Sequence, residues 1–358
     1  MIKNLILHLG DTKTGSTALQ SVLRSGNFRT PQGQTVFYPG ESLNQNRLPN
    51  SFSKGTPKGR SNALFASLAA DFRESDADFG MLSAELFQSV DPADLKRILT
   101  EEMSDFADRT RLISYVRPHA ERLVSTFSEQ TKFGKVSDDL RSHFQKLRRS
   151  GRLKYYPRFT AWQETFGDQF SLRLFQRDHF LNGDVIDDFF AWMLGQEGTV
   201  IQAAQLSNAS LSVGQIALLR RFQTLMNQEG KVERGGRMSP EVARALVAQF
   251  RLTGLGADTP RVTIPDDISQ RLTRQFGEDA AQMDAAFFQG TPMSDAIKSI
   301  PEKLIGPNQD FDASSYFSDN TLRAFDTMAQ MSILLLGENP KQLRQRAKQA
   351  RLQTRLNP

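Results

Sequence analysis

Short apolar runs alternate with longer stretches of helical spacing in the N-terminal half of the chain, the pattern of a parallel sheet covered by helices. Four runs predict strands: Asn4 to Leu9 (NLILHL), Phe79 to Ser83 (FGMLS), Arg111 to Val116 (RLISYV) and Phe170 to Phe175 (FSLRLF). Helical spacing predicts helices over Thr17 to Arg24, Asn62 to Glu74, Ala93 to Ala107, His119 to Lys132, Asp138 to Arg149, Pro157 to Phe166 and Val185 to Leu194. Beyond Gly195 the strand signals fade. Ser212 to Gln228, Pro240 to Leu252, Asp266 to Phe276, Asp319 to Leu335 and Pro340 to Leu352 read as helices joined by Gly- and Pro-containing links. The expectation is an α/β core over residues 1–205 and a mostly helical C-terminal region over 206–358.

One segment interrupts the alternation. Between Asn27 and Arg60 lie four glycines and four prolines among polar residues, which predicts a long loop or insertion, a kind of segment that often carries function. The 358 residues exceed what a sizeable core needs, and 39% apolar with 24% charged residues is ordinary globular composition. The absence of cysteine excludes disulfides, thiolate zinc sites and thiol nucleophiles, and suits a reducing cytosol. No apolar run approaches the length of a membrane span, and the N-terminus lacks the h-region of a signal peptide. The expected location is cytoplasmic. The formal charge of +5 comes mainly from Lys341, Arg344, Arg346, Lys348, Arg351 and Arg355, a tail stretch (341–355) without acids. Removing it leaves the remainder slightly acidic, so bulk charge does not argue for nucleic-acid binding. The tail reads as a solvated helix, or as a contact for an anionic membrane surface or acidic partner.

The candidate chemistry starts at Leu7-His8-Leu9-Gly10-Asp11-Thr12-Lys13-Thr14-Gly15-Ser16-Thr17, an apolar strand that runs through two glycines five apart into a helix. Such a turn binds phosphate: glycines let the backbone approach the oxygens, and the first helical turn adds unpaired N–H donors at the positive end of its dipole. Against the pattern G-x-x-x-x-G-K-[ST], Gly10, Gly15 and Thr17 fit, Ser16 stands where the lysine belongs, and the lysine has moved inside the loop to Lys13. That shift argues against ordinary Mg²⁺-dependent cleavage of a γ-phosphate while keeping an ammonium beside the phosphates. The plain alternative is a βα turn with a solvated lysine.

A second segment has the same architecture. The strand ending at Val116 is followed by Arg117-Pro118-His119 and a helix carrying Ser125. An arginine at the C-terminal edge of a strand lies where open α/β sheets bind ligands, and its planar fork suits a phosphate dianion. Taken singly, an ion-paired Arg117 and a surface Ser125 explain it as well.

Together the two segments resemble the nucleotide-binding motifs of sulfotransferases that use 3′-phosphoadenosine 5′-phosphosulfate (PAPS). Lys13-Thr14-Gly15-Ser16-Thr17 is similar to the family's 5′-phosphosulfate loop, and Arg117 with Ser125 eight residues later to its 3′-phosphate motif. Ser83-Ala84-Glu85, Trp162-x-x-x-Phe166-Gly167 and Gly183-Asp184-Val185 resemble the bacterial, carbohydrate-type branch. The resemblance spans roughly Ile2 to Leu211. It implies a P-loop NTPase-like three-layer core on a parallel sheet. It also implies sulfuryl transfer from PAPS to a hydroxyl of a saccharide or other small acceptor, without a metal. Lys13 would stabilise the leaving phosphate oxygen, Thr14, Gly15, Ser16 and Thr17 would cradle the 5′-phosphate, and Arg117 and Ser125 would hold the 3′-phosphate.

The acceptor must lose a proton, and Glu85 is the first candidate base, with His8 the alternative. Either has a bland reading, Glu85 as a helix flank and His8 as a packed strand residue. Tyr155, Tyr156, Trp162 and Phe133 are candidates for an adenine wall or for core. Lys54, Lys58 and Arg60 are candidates for acceptor contacts or for solvated cations. A P-loop kinase or NTPase and a non-catalytic nucleotide-binding scaffold of this fold are the competing functions.

Overall fold

The computed structural model describes residues 1–57, 59–134, 139–201, 210–228 and 238–335. The expected helix at 340–352 and the basic stretch 341–355 lie outside them. The strands are β1 (Asn4–His8), β2 (Phe28–Arg29), β3 (Val36–Phe37), β4 (Phe79–Ser83), β5 (Thr110–Val116), β6 (Phe170–Leu174) and β7 (Val200–Ile201). The helices are α1 (Ser16–Ser25), α2 (Arg47–Asn50), α3 (Arg60–Glu74), α4 (Pro92–Glu102), α5 (His119–Lys132), α6 (Leu140–Arg149), α7 (Tyr156–Phe166) and α8 (Val185–Leu194). After β7 come α9 (Val213–Gln228), α10 (Pro240–Thr253), α11 (Asp266–Phe287), α12 (Pro292–Lys298) and α13 (Asp319–Leu335). The described residues of 1–122, 150–208 and 270–300 form one compact unit, and those of 123–149, 209–269 and 301–358 form a second. Each is assembled from discontinuous segments.

The first unit is built on a five-stranded sheet in the order β3-β4-β1-β5-β6, parallel throughout. The four predicted strands are its four longer members. β1 and β4 are buried on both faces, which is why they read as near-continuous apolar runs. Ile6, Met81, Ile113 and Tyr115 on one face pack with Leu19, Val22 and Leu23 of α1 and Ile186, Phe189 and Phe190 of α8. On the other face α3 lies so close that a Cβ on Gly80 would stand 2.8 Å from the Phe72 ring, so only glycine fits there. Helices on both faces of a parallel sheet give the three-layer α/β architecture of P-loop folds.

Two details depart from the sequence reading. The insertion at 27–60 contains an edge strand: β3 pairs in parallel with β4 at Val36↔Phe79 and Phe37↔Gly80, and β2 pairs antiparallel with β7. The segment expected as one helix from Ala93 to Ala107 ends at Glu102, where Met103 turns out of helical geometry (φ −128°, ψ 30°) and a 3-10 turn, Ser104–Arg109, follows.

In the second unit, Arg221 of α9 makes two 2.6 Å hydrogen bonds to the Asp326 carboxylate of α13, and Arg220 stacks 4.7 Å over Phe311. Among the described residues no helix is long and apolar enough to cross a membrane.

Candidate functional site

β1 and β5 are adjacent and parallel, with His8 opposite Ile113, so the turns that leave their C-terminal ends emerge side by side. The Ser114 hydroxyl donates to the Gly10 carbonyl at 2.5 Å, fastening the first turn to the neighbouring strand. Gly10 (φ 69°) and Gly15 (φ 79°) both adopt left-handed backbone, and so does Lys13 (φ 72°) between them. Gly15 caps α1, whose Ala18 and Leu19 N–H groups bond to the Gly15 carbonyl at 2.9 and 3.2 Å. The Ser16 and Thr17 amides stand outside that ladder at the positive end of the helix. The Ser16 hydroxyl is buried and has no hydrogen-bond partner among the described residues, an orphaned donor in the position expected to cradle phosphate. Thr14 is also buried, its hydroxyl donating to the Asp11 carbonyl at 2.7 Å, and Thr17 is exposed.

Arg117 leaves the end of β5 and lays its guanidinium 4.4 Å over the Phe175 ring, just past β6. The same ring borders the glycine turn: a Cβ on Gly15 would stand 3.2 Å from Phe175 and 2.9 Å from Val185. Phe175 therefore touches both motifs, and the guanidinium and the loop stand at one edge of the sheet. The Arg117 Nε is buried without a partner among the described residues. Burial lowers its pKa to about 10, against the opposing pull of Glu121. A buried cation short of partners is the electrostatic condition that an anionic ligand relieves. Ser125 stands half-buried on the second turn of α5, the helix that follows Arg117.

Glu85 opens a 3-10 turn immediately after β4. Its backbone rests on the loop, since a Cβ on Gly10 would stand 2.6 Å from the Glu85 Cα. The strand order, with β4 beside β1, thus brings this carboxylate to the same edge as Lys13.

His8, the alternative base, is sealed in the sheet. Its Nδ1 meets the Ser83 hydroxyl at 2.8 Å, its ring lies edge-on to Tyr115 and Phe189, and burial lowers its pKa to about 4. Ser83 also accepts from Gln20 Nε2 at 3.0 Å, so His8 belongs to a buried polar chain that ties β1, β4 and α1 together.

Asp11, Thr12, Arg122 and Arg158 carry no role that the motif spacing assigns, yet they form one cluster around the buried Asp11 carboxylate. Asp11 and Arg122 have no exposed side-chain surface. The Asp11 carboxylate accepts from the Thr12 N–H (2.8 Å) and meets Arg122 Nη1 (2.7 Å) and Arg158 Nη2 (3.0 Å). Burial alone would raise this carboxyl, but the two guanidiniums hold it down to about 2. Arg122 also donates to the Thr12 hydroxyl at 2.6 Å, and Arg158 to Gln88 at 3.1 Å while lying 4.5 Å over Phe159. The signal in the sequence is a carboxylate inside the glycine turn, whose charge is costly to bury unless cations neutralise it.

Of the aromatic candidates, Tyr155 and Trp162 are core. The Tyr155 hydroxyl donates to the Arg117 carbonyl at 2.9 Å and its ring packs on His119, while Trp162 stacks on Phe166 and Phe170. Tyr156 and Phe133 are half-buried, Lys54 and Arg60 are exposed, and Lys58 lies outside the described residues. Among the described residues no group of three or more His, Asp or Glu side chains gathers as a metal site.

No family model matches the chain, and no curated protein matches it. Among solved structures it is similar to a sulfotransferase from Alicyclobacillus acidocaldarius, at 13% sequence identity and a TM-score of 0.44, over 80% of this chain and 96% of that one.

Proposed function

We propose that the protein is a PAPS-dependent sulfotransferase that transfers a sulfuryl group to a hydroxyl of a saccharide or other small acceptor. The observation that carries the reading is the Phe175 ring, which borders Gly15 and supports Arg117, so that two motifs distant in sequence face one strand-end edge. A bisphosphorylated adenosine needs two anion sites of this kind, and the orphaned Ser16 hydroxyl and Arg117 Nε offer unused donors to them. When bound, the donor supplies an activated sulfuryl group whose bond to the 5′-phosphate is the one that breaks. Lys13, with Ser16, Thr17 and the first amides of α1, meets the negative charge that grows on the departing phosphate. Thr14 and Gly15 shape the cradle, and Arg117 and Ser125 hold the 3′-phosphate. Glu85 takes the proton of the attacking hydroxyl, a role for which His8 is too deeply buried. Positioning and charge stabilisation supply the rate, and these residues call for no metal.

Calorimetric titration with 3′-phosphoadenosine 5′-phosphate tests the assignment. The expected dissociation constant is micromolar and rises at least tenfold for adenosine 5′-phosphate. Lys13→Ala and Arg117→Ala, each deleting charge-assisted bonds to phosphate, should weaken binding about 10- to 100-fold. Equal affinity for ATP and the bisphosphate, with magnesium-dependent ATP turnover, would replace this function with that of a P-loop kinase or NTPase. Tight binding without transfer to any of a broad acceptor panel would leave a nucleotide-binding scaffold.

A further inference from the structure

Lys13 holds a left-handed backbone (φ 72°) in which a residue with a side chain is strained, and such a conformation persists only where its surroundings over-determine it. Here Thr12 is fastened to a buried ion pair between Asp11 and Arg122, and Thr14 is tied to the main chain of Asp11. On the N-terminal side, the Thr12 N–H donates to Asp11 Oδ1 at 2.8 Å and the Thr12 hydroxyl accepts from Arg122 Nη2 at 2.6 Å. On the C-terminal side, the Thr14 hydroxyl donates to the Asp11 carbonyl at 2.7 Å. Arg122 Nη1 closes the arrangement on Asp11 Oδ2 at 2.7 Å, and neither side chain of the pair has exposed surface. Arg122 stands on the first turn of α5, the helix that begins two residues after Arg117. The pair therefore joins the glycine turn after β1 to the element that carries the second motif.

We propose that Asp11 and Arg122 are positioning residues that clamp Lys13 in its left-handed conformation and so set the direction in which its side chain leaves the turn toward the ligand's phosphate. The inference rests on the sulfotransferase reading only for the identity of that ligand. A backbone set in advance loses no further freedom at residue 13 when the ligand binds. The cost is the strain at residue 13, which the buried pair sustains. Arg158, on the same carboxylate oxygen at 3.0 Å, braces Asp11 from α7.

A double-mutant cycle on stability, without any ligand, reads the clamp directly. At a left-handed position glycine is favoured over alanine, so Lys13→Gly should unfold in urea with an equilibrium constant about tenfold smaller than Lys13→Ala. The same comparison is then made in a Thr12→Val background, which deletes the hydroxyl that Arg122 holds, and in an Arg122→Lys background, which keeps the charge but loses the fork. If the pair enforces the conformation, residue 13 relaxes in these backgrounds and the glycine-to-alanine ratio falls below threefold. Thr12→Val leaves the buried ion pair intact, so the cycle remains readable if Arg122→Lys fails to fold. In parallel, Thr12→Val should weaken 3′-phosphoadenosine 5′-phosphate about fivefold while the loss caused by Arg117→Ala stays the same in both backgrounds. A ratio that stays near ten in the Thr12→Val background, or the absence of any glycine preference at residue 13, overturns the clamp. A collapsing ratio in a protein that binds no bisphosphate upholds the clamp and overturns the sulfotransferase reading.

Discussion

The place of Glu85 beside the glycine turn depends on one close approach, and replacing Gly10 by alanine probes it. Gly10 has φ 69°, and an added Cβ would stand 2.6 Å from the Glu85 Cα and 3.3 Å from the Ala84 carbonyl oxygen. Two costs follow. An alanine in left-handed backbone costs about 1–2 kcal/mol. The collision is with backbone that cannot swing aside, because the Ala84 N–H is bonded to the His8 carbonyl at 3.2 Å and Ser83 is in register with His8. Forcing that contact apart adds about 1–3 kcal/mol, the usual range for overpacking, so the total is about 2–5 kcal/mol. Gly26→Ala isolates the first cost, since Gly26 has φ 65° and its added Cβ meets no heavy atom within 4 Å. Urea unfolding of the two variants at matched m-values gives the comparison, with Gly10→Ala expected to lose about 1–3 kcal/mol more. Equal losses would mean that the Glu85 backbone does not rest on Gly10, and the proposal of Glu85 as base would lose its structural support.

Two further predictions concern the supports of the site. His8 and His143 are buried, and burial lowers both to about 4 from an ordinary value of 6.5, with Lys146 adding to the effect at His143. The unfolded chain therefore takes up protons between pH 6.5 and 4 that the native protein refuses. Stability should be full above pH 6.5 and fall by about 3 kcal/mol per histidine as pH drops to 4. Asp11, held near 2, adds nothing to this window because its contribution is lost only below about pH 4. An unfolding midpoint that is flat from pH 7 to 4.5, or one that His143→Gln does not partly flatten, refutes the assignment. Arg24 donates to the carbonyls of Tyr38, Pro39, Gly40 and Ser42 and so binds the insertion to α1. Arg24→Ala should raise chymotryptic cleavage after Leu43 at least tenfold with little change in global melting, as local opening becomes easier; an unchanged rate would show that the insertion is held by other contacts.

Where periodicity and local chemistry agree, the elements were legible in the chain itself. The helices His119–Lys132, Val185–Leu194 and Asp319–Leu335 have the bounds that their apolar spacing predicts. The discrepancies have identifiable causes. The helix expected to stop at Phe276, before Gly277, runs on to Phe287, because Ala280 and Met283 bury their side chains further along it and tertiary packing outweighs the propensity of one glycine. β3 has two residues, too few for any period, and exists through its pairing with Phe79 and Gly80. The turn that carries Lys13, Gly15 and Ser16 was legible because all that marks it lies within a few residues. The role of Asp11 was not, since its partners are at 122 and 158.

Residue order alone determined the four longer strands, the glycine-rich turn and the arginine that directly follows the strand ending at Val116, because backbone propensity and hydrophobic period act over short separations. Only the folded chain decided that β1 lies between β4 and β5, and hence that Lys13, Glu85 and Arg117 share an edge. It decided too that Phe175 supports the arginine beside the turn, and that one sealed carboxylate gathers two guanidiniums beneath the loop. Those arrangements follow from burial and charge pairing between residues far apart along the polymer, which satisfy one another only when the sheet has closed around them.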